Sequence, residues 1–456
     1  MIDLMNVSAY RENNRIEAKK ALGGLPKSIW ETYSAFANAL GGVILLGVEE
    51  NMRDHTLHPV DLPDPQGMVE EFWTLLRDGK TVSVNILTEE SVRVAEVNGG
   101  DVIAIEVPRA RRSQRPVYIG GDPMMGTYRR NGEGDYRCSR EEVQEMIRDA
   151  ARQTPDMRLL TELGMDALEE ASLTAYRTAL HADETEPTDA ILRRIGAAAE
   201  RDGVLHPTAA GLLMFGREAE IRREFPRFSL EYCSMTETAD DNTETRGITG
   251  GNVYDFYSQI NCLLRQDHAP EVHPALEEAL TNCLLNADYL GHGGIVIRST
   301  EDTVEYSNPG QFRIDVQTAF GGGVSDPRNL AVARMFEAVG VGGGTGSGLA
   351  GILTLWRSKG WKTPSIRETF SPARVTLCLS MLPAENTAAP ELPASVSRNL
   401  LRTAVIADVT EHVRVTAEES AARLGVDADA VRNCMQRLTG EEILTEEVPD
   451  VYRLKI

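Results

Sequence analysis

Two stretches decide the fold: HPALEEALTNCLLNADYL, His273 to Leu290, and VGGGTGSGLAGIL, Val341 to Leu353, about sixty residues further on. In the first, Leu276, Ala279, Leu280, Cys283 and Leu284 recur at helical spacing and predict a buried apolar face. Glu278, Asn282 and Asn286 step by four, which stacks them on the other flank of the same helix. An acid followed by two amides suits a magnesium–nucleotide site. Asn282 offers a side-chain oxygen to Mg²⁺, and Glu278 is placed to orient or deprotonate water. An ordinary amphipathic helix with a polar outer face fits the same pattern. In the second stretch, glycine allows close approach of backbone N–H groups, and the N-terminus of a following helix favours anions. Alone, such a run reads equally well as a loop.

The rest of the chain sets the context. Its 456 residues exceed one ordinary core and suggest roughly three domains. The 42% hydrophobic and 25% charged fractions are those of a globular protein rather than a disordered one. A net charge of −22 repels phosphate backbones, so a nucleic-acid site has to be a local patch. The six cysteines are scattered without metal-ligand spacing, which predicts reduced, buried thiols. With no basic-then-apolar leader and no run of about 18 apolar residues, a cytoplasmic protein away from membranes is expected.

Residues 1–153 read as a mixed α/β domain. A helix around Trp30 to Leu40 leads through Gly41-Gly42 into a buried strand, Val43 to Val48, and a second strand covers Asp101 to Val107. Arg109, Arg111, Arg112 and Arg115 form either a solvated cluster or an anion-binding edge. Ser139 with Glu142 predicts a capping box on a helix running to about Ala151. Residues 154–250 read as a connecting α+β segment containing HPTAAGLLMFG, the strand FSLEYCSM and a polar loop, Asp241 to Gly251. Residues 251–385 carry both opening stretches. The proline-rich residues 386–396 are a linker, and 397–456 are helical with terminal strands. Gly79-Lys80-Thr81 imitates the end of a P-loop, but Thr74 stands where its first glycine belongs.

An acid-x-x-x-Asn helix, a strand pair (GGIVIRS and DTVEYSNPG) and then G-x-G-x-G-L entering a helix resemble the GHKL ATPases, the superfamily of gyrase, histidine kinases and the MutL proteins. The resemblance implies a GHKL-type α/β sandwich that binds ATP or another nucleotide with Mg²⁺. Glu278 would then be the ATPase base and Asn282 the metal ligand. Asn286, Asp288, Asn308, Gly310, Gly344, Thr345, Gly346, Ser347 and Gly348 would contact the nucleotide. Where those ATPases place Asp-x-Gly against the adenine amino group, this chain has Asn308-Pro309-Gly310, and an amide donates as well as accepts.

Glu12, Glu17-Ala18-Lys19, AFANALGGVILLGVEE (Ala35 to Glu50) and GTYRRNGEGDYRCSREEV (Gly126 to Val143) resemble the Schlafen AlbA-like domain. With HPTAAGLLMFG, YSNPGQF and the tail, the whole chain is similar to bacterial and archaeal predicted transcriptional regulators that join an AlbA-like domain, a divergent GHKL domain and a winged helix. Their His-Arg-Asp-Tyr run is Asn286-Ala287-Asp288-Tyr289 here. In the tail, Thr416 and Glu419 cap one helix that Gly425 ends, and Asp427 caps the next. Ala421, Leu424, Val431, Met435 and Leu438 supply the core. In a winged helix the second helix enters the major groove, which implies DNA contacts from Arg432, Asn433, Gln436 and Arg437.

The fold expected is therefore α/β and α+β multidomain, with an AlbA-like mixed domain, a GHKL sandwich and a C-terminal winged helix-turn-helix. The leading function is a nucleotide-responsive DNA-binding transcriptional regulator, acting as a homodimer. A second reading is a Schlafen-like RNA nuclease in which Glu12, Glu17 and Glu49 (or Glu50) hold Mg²⁺ or Mn²⁺. A third is a scaffold whose ATPase fold is vestigial.

Overall fold

The structure is a computed structural model. It describes residues 13–384 apart from 14, 52, 54–55, 98, 133, 238–242, 315 and 343–347, and within the tail 405, 409, 415–424, 428–440, 444–448 and 451–454. The chain divides into two compact units, Met1–Gln153 and Thr154–Ile456.

The first unit is built on a four-stranded sheet in the order β1-β2-β6-β5, with β1 (Ile16–Lys19) parallel to β2 (Gly42–Leu46). A short pair, β3 (Val48–Glu50) and β4 (Leu57–Pro59), follows β2. β5 (Val92–Val97) and β6 (Gly100–Val107) complete the sheet antiparallel to each other. The helix α1 (Ile29–Asn38) buries Ile29, Tyr33, Phe36 and Ala37, and Trp30 stacks on Phe72 of α2 (Pro65–Arg77) at 5.2 Å. Its buried polar residues are all satisfied. Asn38 accepts from the Val117 N–H (2.8 Å) and donates to the carbonyls of Val117 (2.7 Å) and Tyr128 (3.1 Å). The Ala-Phe-Ala-Asn run is thus a structural rivet. Gly41 at φ +72° has Val107 O 2.9 Å from where a Cβ would sit, so only glycine lets the chain turn there beside β6. A hairpin, β7 (Tyr128–Asn131) and β8 (Gly134–Arg137), precedes α3 (Arg140–Ala150), which opens on the Ser139–Glu142 capping box. Arg112 of the arginine cluster is structural, since its Nη1 donates to the carbonyls of Asp149 and Ala151 at the end of α3.

In the second unit, α4 (Ala209–Phe215) is buried along its whole length. A six-stranded sheet follows in the order β10-β9-β11-β12-β14-β13. It comprises β9 (Leu230–Glu237), β10 (Thr243–Thr249), β11 (Ile295–Ser299), β12 (Thr303–Pro309), β13 (Ser365–Phe370) and β14 (Ala373–Ser380). Only β9 and β11 pair in parallel; the other pairs are antiparallel. β14 buries Ala373, Val375, Leu377 and Leu379 alternately, the period-2 pattern of a strand with one covered face. The helices α5 (Val253–Asp267), α6 (His273–Asn286), α7 (Leu330–Ala338) and α8 (Gly348–Ser358) contribute to the same core. α6 packs on α5, α8 and β12 with Leu276, Ala279, Leu280, Cys283 and Leu284 inward, as its spacing predicts.

Two expectations are corrected here. The stretch from Asp241 to Gly251 is not all loop, because Thr243–Thr249 form the edge strand β10, paired to β9 over seven residues. Its polar composition reflects an exposed edge, where backbone pairing supplies the stability. The expected break between a connecting segment 154–250 and a domain 251–385 is absent as well. β9 and β10 belong to the six-stranded sheet, and one apolar core runs from Leu160 to Leu379.

In the tail, β15 (Val415–Thr416), α9 (Ala417–Leu424), α10 (Ala428–Gly440), β16 (Leu444–Val448) and β17 (Val451–Leu454) form two helices and an antiparallel sheet in the order β15-β17-β16. Ala421, Val431, Met435 and Leu438 are buried there. Thr416 and Glu419 exchange the capping hydrogen bonds, whereas Gly425, Asp427 and the linker 386–396 lie outside the described residues. No described helix is long and apolar enough to cross a membrane.

Candidate functional site

A cavity of about 370 Å³ lies in the second unit between α6, the end of β12, the segment 311–330 and α7. That volume falls in the range of small-molecule sites. Its floor is apolar, with Tyr306, Ile366, Val375 and Leu377 rising from the sheet. The polar flank of α6 forms one wall and carries Glu278, Asn282 and Asn286. Asn282 Nδ2 donates to Glu278 Oε1 at 2.9 Å, and Asn286 Nδ2 donates to the Asn282 carbonyl at 2.9 Å. With its NH₂ engaged by Glu278, Asn282 keeps its amide oxygen as the group to offer a hard cation. Asn308, at the end of β12, lies on the wall too, with its Nδ2 donating to the Pro309 carbonyl at 3.1 Å.

The first turn of α8 closes in on Glu278. A Cβ on Gly348 would stand 1.9 Å from Glu278 Oε1 and 2.7 Å from its Cγ, so the helix start approaches the carboxylate only because residue 348 is glycine. Gly342 is also on the wall. Gly344, Thr345, Gly346 and Ser347, expected to cradle phosphate, lie outside the described residues.

Burial holds the Glu278 carboxyl above the usual carboxylate range; the Asn282 hydrogen bond opposes this, and the neighbouring Glu277 adds to it. The folded chain therefore binds that proton more tightly than the unfolded chain, whose carboxyl titrates near 4.5. Stability should fall as pH rises from there through the folded value, and Glu278→Gln should lack that loss. Urea unfolding of both proteins across mildly acidic pH checks this. Wild type is expected to lose ground to the variant towards neutrality, and parallel curves would contradict it.

Two residues expected to contact nucleotide have other partners. Asp288 is off the cavity wall; its carboxylate accepts the Leu290 N–H at 3.0 Å and shapes the turn after α6. Gly310 is off the wall too, held at φ +102° against the Arg328 guanidinium. Conversely, Gln311 of the YSNPGQF stretch lines the cavity, as do Arg313, Asp326 and Glu337, which no motif announces. The Arg313 side chain is buried, donates to the Pro327 carbonyl (2.6 Å) and pairs with Asp326 at 3.7 Å. Among the described lining residues the acids Glu278, Asp326 and Glu337 outnumber the one cation, Arg313. An acid–amide pair of oxygen donors is the set that Mg²⁺ accepts.

The acids of the first unit are placed differently from the nuclease reading. Glu17 is clamped between Arg130 Nη2 and Lys19 Nζ, both at 2.8 Å, because the guanidinium of Arg130 is buried and needs counter-ions. Asp135 is its other one, at 3.0 Å. Glu49 pairs with Lys20 at 2.5 Å, and Glu12 lies outside the described residues. Among the described residues no group of three or more His, Cys, Asp or Glu is placed to hold a metal ion. On α10, Asn433, Gln436 and Arg437 are exposed, while Arg432 is half-buried and paired with Asp429 (2.7 Å) and Glu418 (3.6 Å).

Residues 12–139 match the family "Schlafen, AlbA_2", residues 292–377 the family "Putative ATP-dependent DNA helicase recG C-terminal", and residues 144–231 a domain of unknown function, DUF8451. The chain thus carries a Schlafen AlbA_2 domain at its N-terminus and a recG C-terminal, ATPase-related domain further on. Among solved structures it is similar to the DIP2311 protein of Corynebacterium diphtheriae, at 18% identity over 97% of this chain and 92% of that one, with a TM-score of 0.44. It is also similar to the "N-terminal Domain of Putative ATP-dependent DNA Helicase RecG-related Protein" of Nitrosomonas europaea. That match is 32% identical over 30% of this chain and 94% of that one, with a TM-score of 0.24. No curated protein matches.

Proposed function

We propose that a chain joining a Schlafen AlbA_2 domain to a recG C-terminal, ATPase-related domain is a nucleotide-responsive, DNA-binding transcriptional regulator. The observation that carries this reading is the Glu278–Asn282 pair, packed against Gly348, on the wall of a cavity of nucleotide size. The helicase name of the matched family supports an association with nucleic acid.

ATP, or another nucleotide, is the ligand, and the Asn282 amide oxygen would hold its Mg²⁺. The metal would supply the positive charge that this acidic wall lacks. Asn286 and Asn308 contact the nucleotide, and Glu278 orients or deprotonates water. The tail acts as a winged helix that presents Asn433, Gln436 and Arg437 of α10 to the major groove, with Arg432 released from its ion pairs on contact. A homodimer places two such helices on one operator.

A thermal-shift panel of ATP, ADP and GTP, each with and without Mg²⁺, tests the site. At about 100-fold excess over Kd the ligand should add about 2.7 kcal/mol of stability, visible as a higher Tm that depends on Mg²⁺. No shift from any nucleotide would overturn the reading. In the same experiment series, duplex-DNA affinity at fixed salt should differ with and without MgATP; equal affinities would sink the responsive part.

A further inference from the structure

α6 ends without a glycine cap: the backbone leaves the helix at Ala287 with φ −65° and ψ 133°. The Tyr289 hydroxyl donates to the Leu284 carbonyl at 2.9 Å, and the carbonyls after it are met by a segment more than forty residues away. Arg328 donates through Nε to the Asn286 carbonyl at 3.1 Å. Asn329 donates through Nδ2 to the carbonyls of Leu285 (3.1 Å) and Ala287 (2.8 Å), and its backbone N–H donates to Leu285 O as well (3.0 Å). A cation and amide donors at a helix C-terminus are where the dipole favours them.

The same guanidinium also grips the other wall. Arg328 Nη2 donates to the Gln311 carbonyl at 3.0 Å, and a Cβ on Gly310 would stand 2.8 Å from that nitrogen. Both side chains are buried, and neither lines the cavity. Arg328 therefore spans two elements that each carry ligand-facing amides: α6 with Asn282 and Asn286, and the end of β12 with Asn308 and Gln311. A planar fork serves two carbonyls on separate elements at once, which a lysine point charge does not.

We propose that Arg328 and Asn329 are positioning residues for a nucleotide site, fixing the separation between the α6 wall and the Asn308–Gln311 wall and thereby its base selectivity. The proposal rests on the nucleotide reading above. Its test uses the full chain and isothermal titration with MgATP and MgGTP. Arg328→Lys and Arg328→Met are expected to bind MgATP at least tenfold more weakly and to change the ratio of the two affinities at least threefold. A merely structural role lowers the folded fraction and leaves that ratio alone. Gly310→Ala keeps Arg328 but crowds its guanidinium and strains a backbone held at φ +102°, and it should move the ratio in the same direction.

Folded variants, verified by circular dichroism, that bind both nucleotides like wild type would overturn the proposal. If both Arg328 variants fail to fold, an unchanged ratio in Gly310→Ala overturns it alone. Wild type binding neither nucleotide overturns the reading of the site itself, and the proposal falls with it.

Discussion

Trp356→Ala is expected to remove about 3–5 kcal/mol of unfolding free energy from the Thr154–Ile456 unit, the cost of emptying a large core position. Trp356 is fully buried on α8, its Nε1 donates to the Ser380 carbonyl at 2.7 Å, and its ring meets Trp361 edge-on at 5.4 Å. Alanine would leave a void and a buried carbonyl without its donor. Urea unfolding followed by far-ultraviolet circular dichroism measures this, and a loss below about 1 kcal/mol would show that the site collapses without penalty. The effect reaches the cavity, because the same helix begins at Gly348 against Glu278. The variant should therefore bind nucleotide more weakly as well.

Asp156→Ala should cost the same unit about 3 kcal/mol, as buried donors lose their acceptor. The Asp156 carboxylate is buried and accepts the N–H groups of Ala331 (2.8 Å) and Val332 (3.0 Å) in the first turn of α7, and the Thr154 hydroxyl donates to it. α7 depends on this remote cap because Asn329, its own N-cap residue, makes no capping bond and turns its side chain to α6 instead. Burial raises the Asp156 pKa, with the three donors opposing it. Asp156→Asn retains an acceptor and should lose less. Equal losses for the two variants in urea unfolding would contradict this account. α7 carries Ala333 and Glu337 of the cavity wall, so the segment just past the unit boundary at Gln153 bears on the site.

Much of the frame is legible in the chain because it is local. The apolar spacing along α6, the strand at Val43, the strand at Asp101 and the capping boxes at Ser139 and Thr416 all depend on residues within a few positions of each other. The Glu278–Asn282 pair is legible for the same reason, since residues four apart on a helix face one another. β10 escapes because an exposed edge strand needs no apolar alternation and takes its hydrogen bonds from β9. The ion pair of Glu17 with Arg130, more than a hundred residues away, leaves no local sequence signal.

Local periodicity and capping by themselves determined the elements, the acid–amide flank of α6 and the order of the parts around the glycine run. Tertiary structure alone decided which residues face the cavity. It turned Asp288 and Gly310 away, brought in Gln311, Arg313 and Glu337, and set Asp156, Arg328 and Asn329 at helix ends far from them in sequence. The physical reason is that a helix end leaves backbone donors or acceptors unmet, and in a buried site any well-placed partner meets them, whatever its distance along the chain.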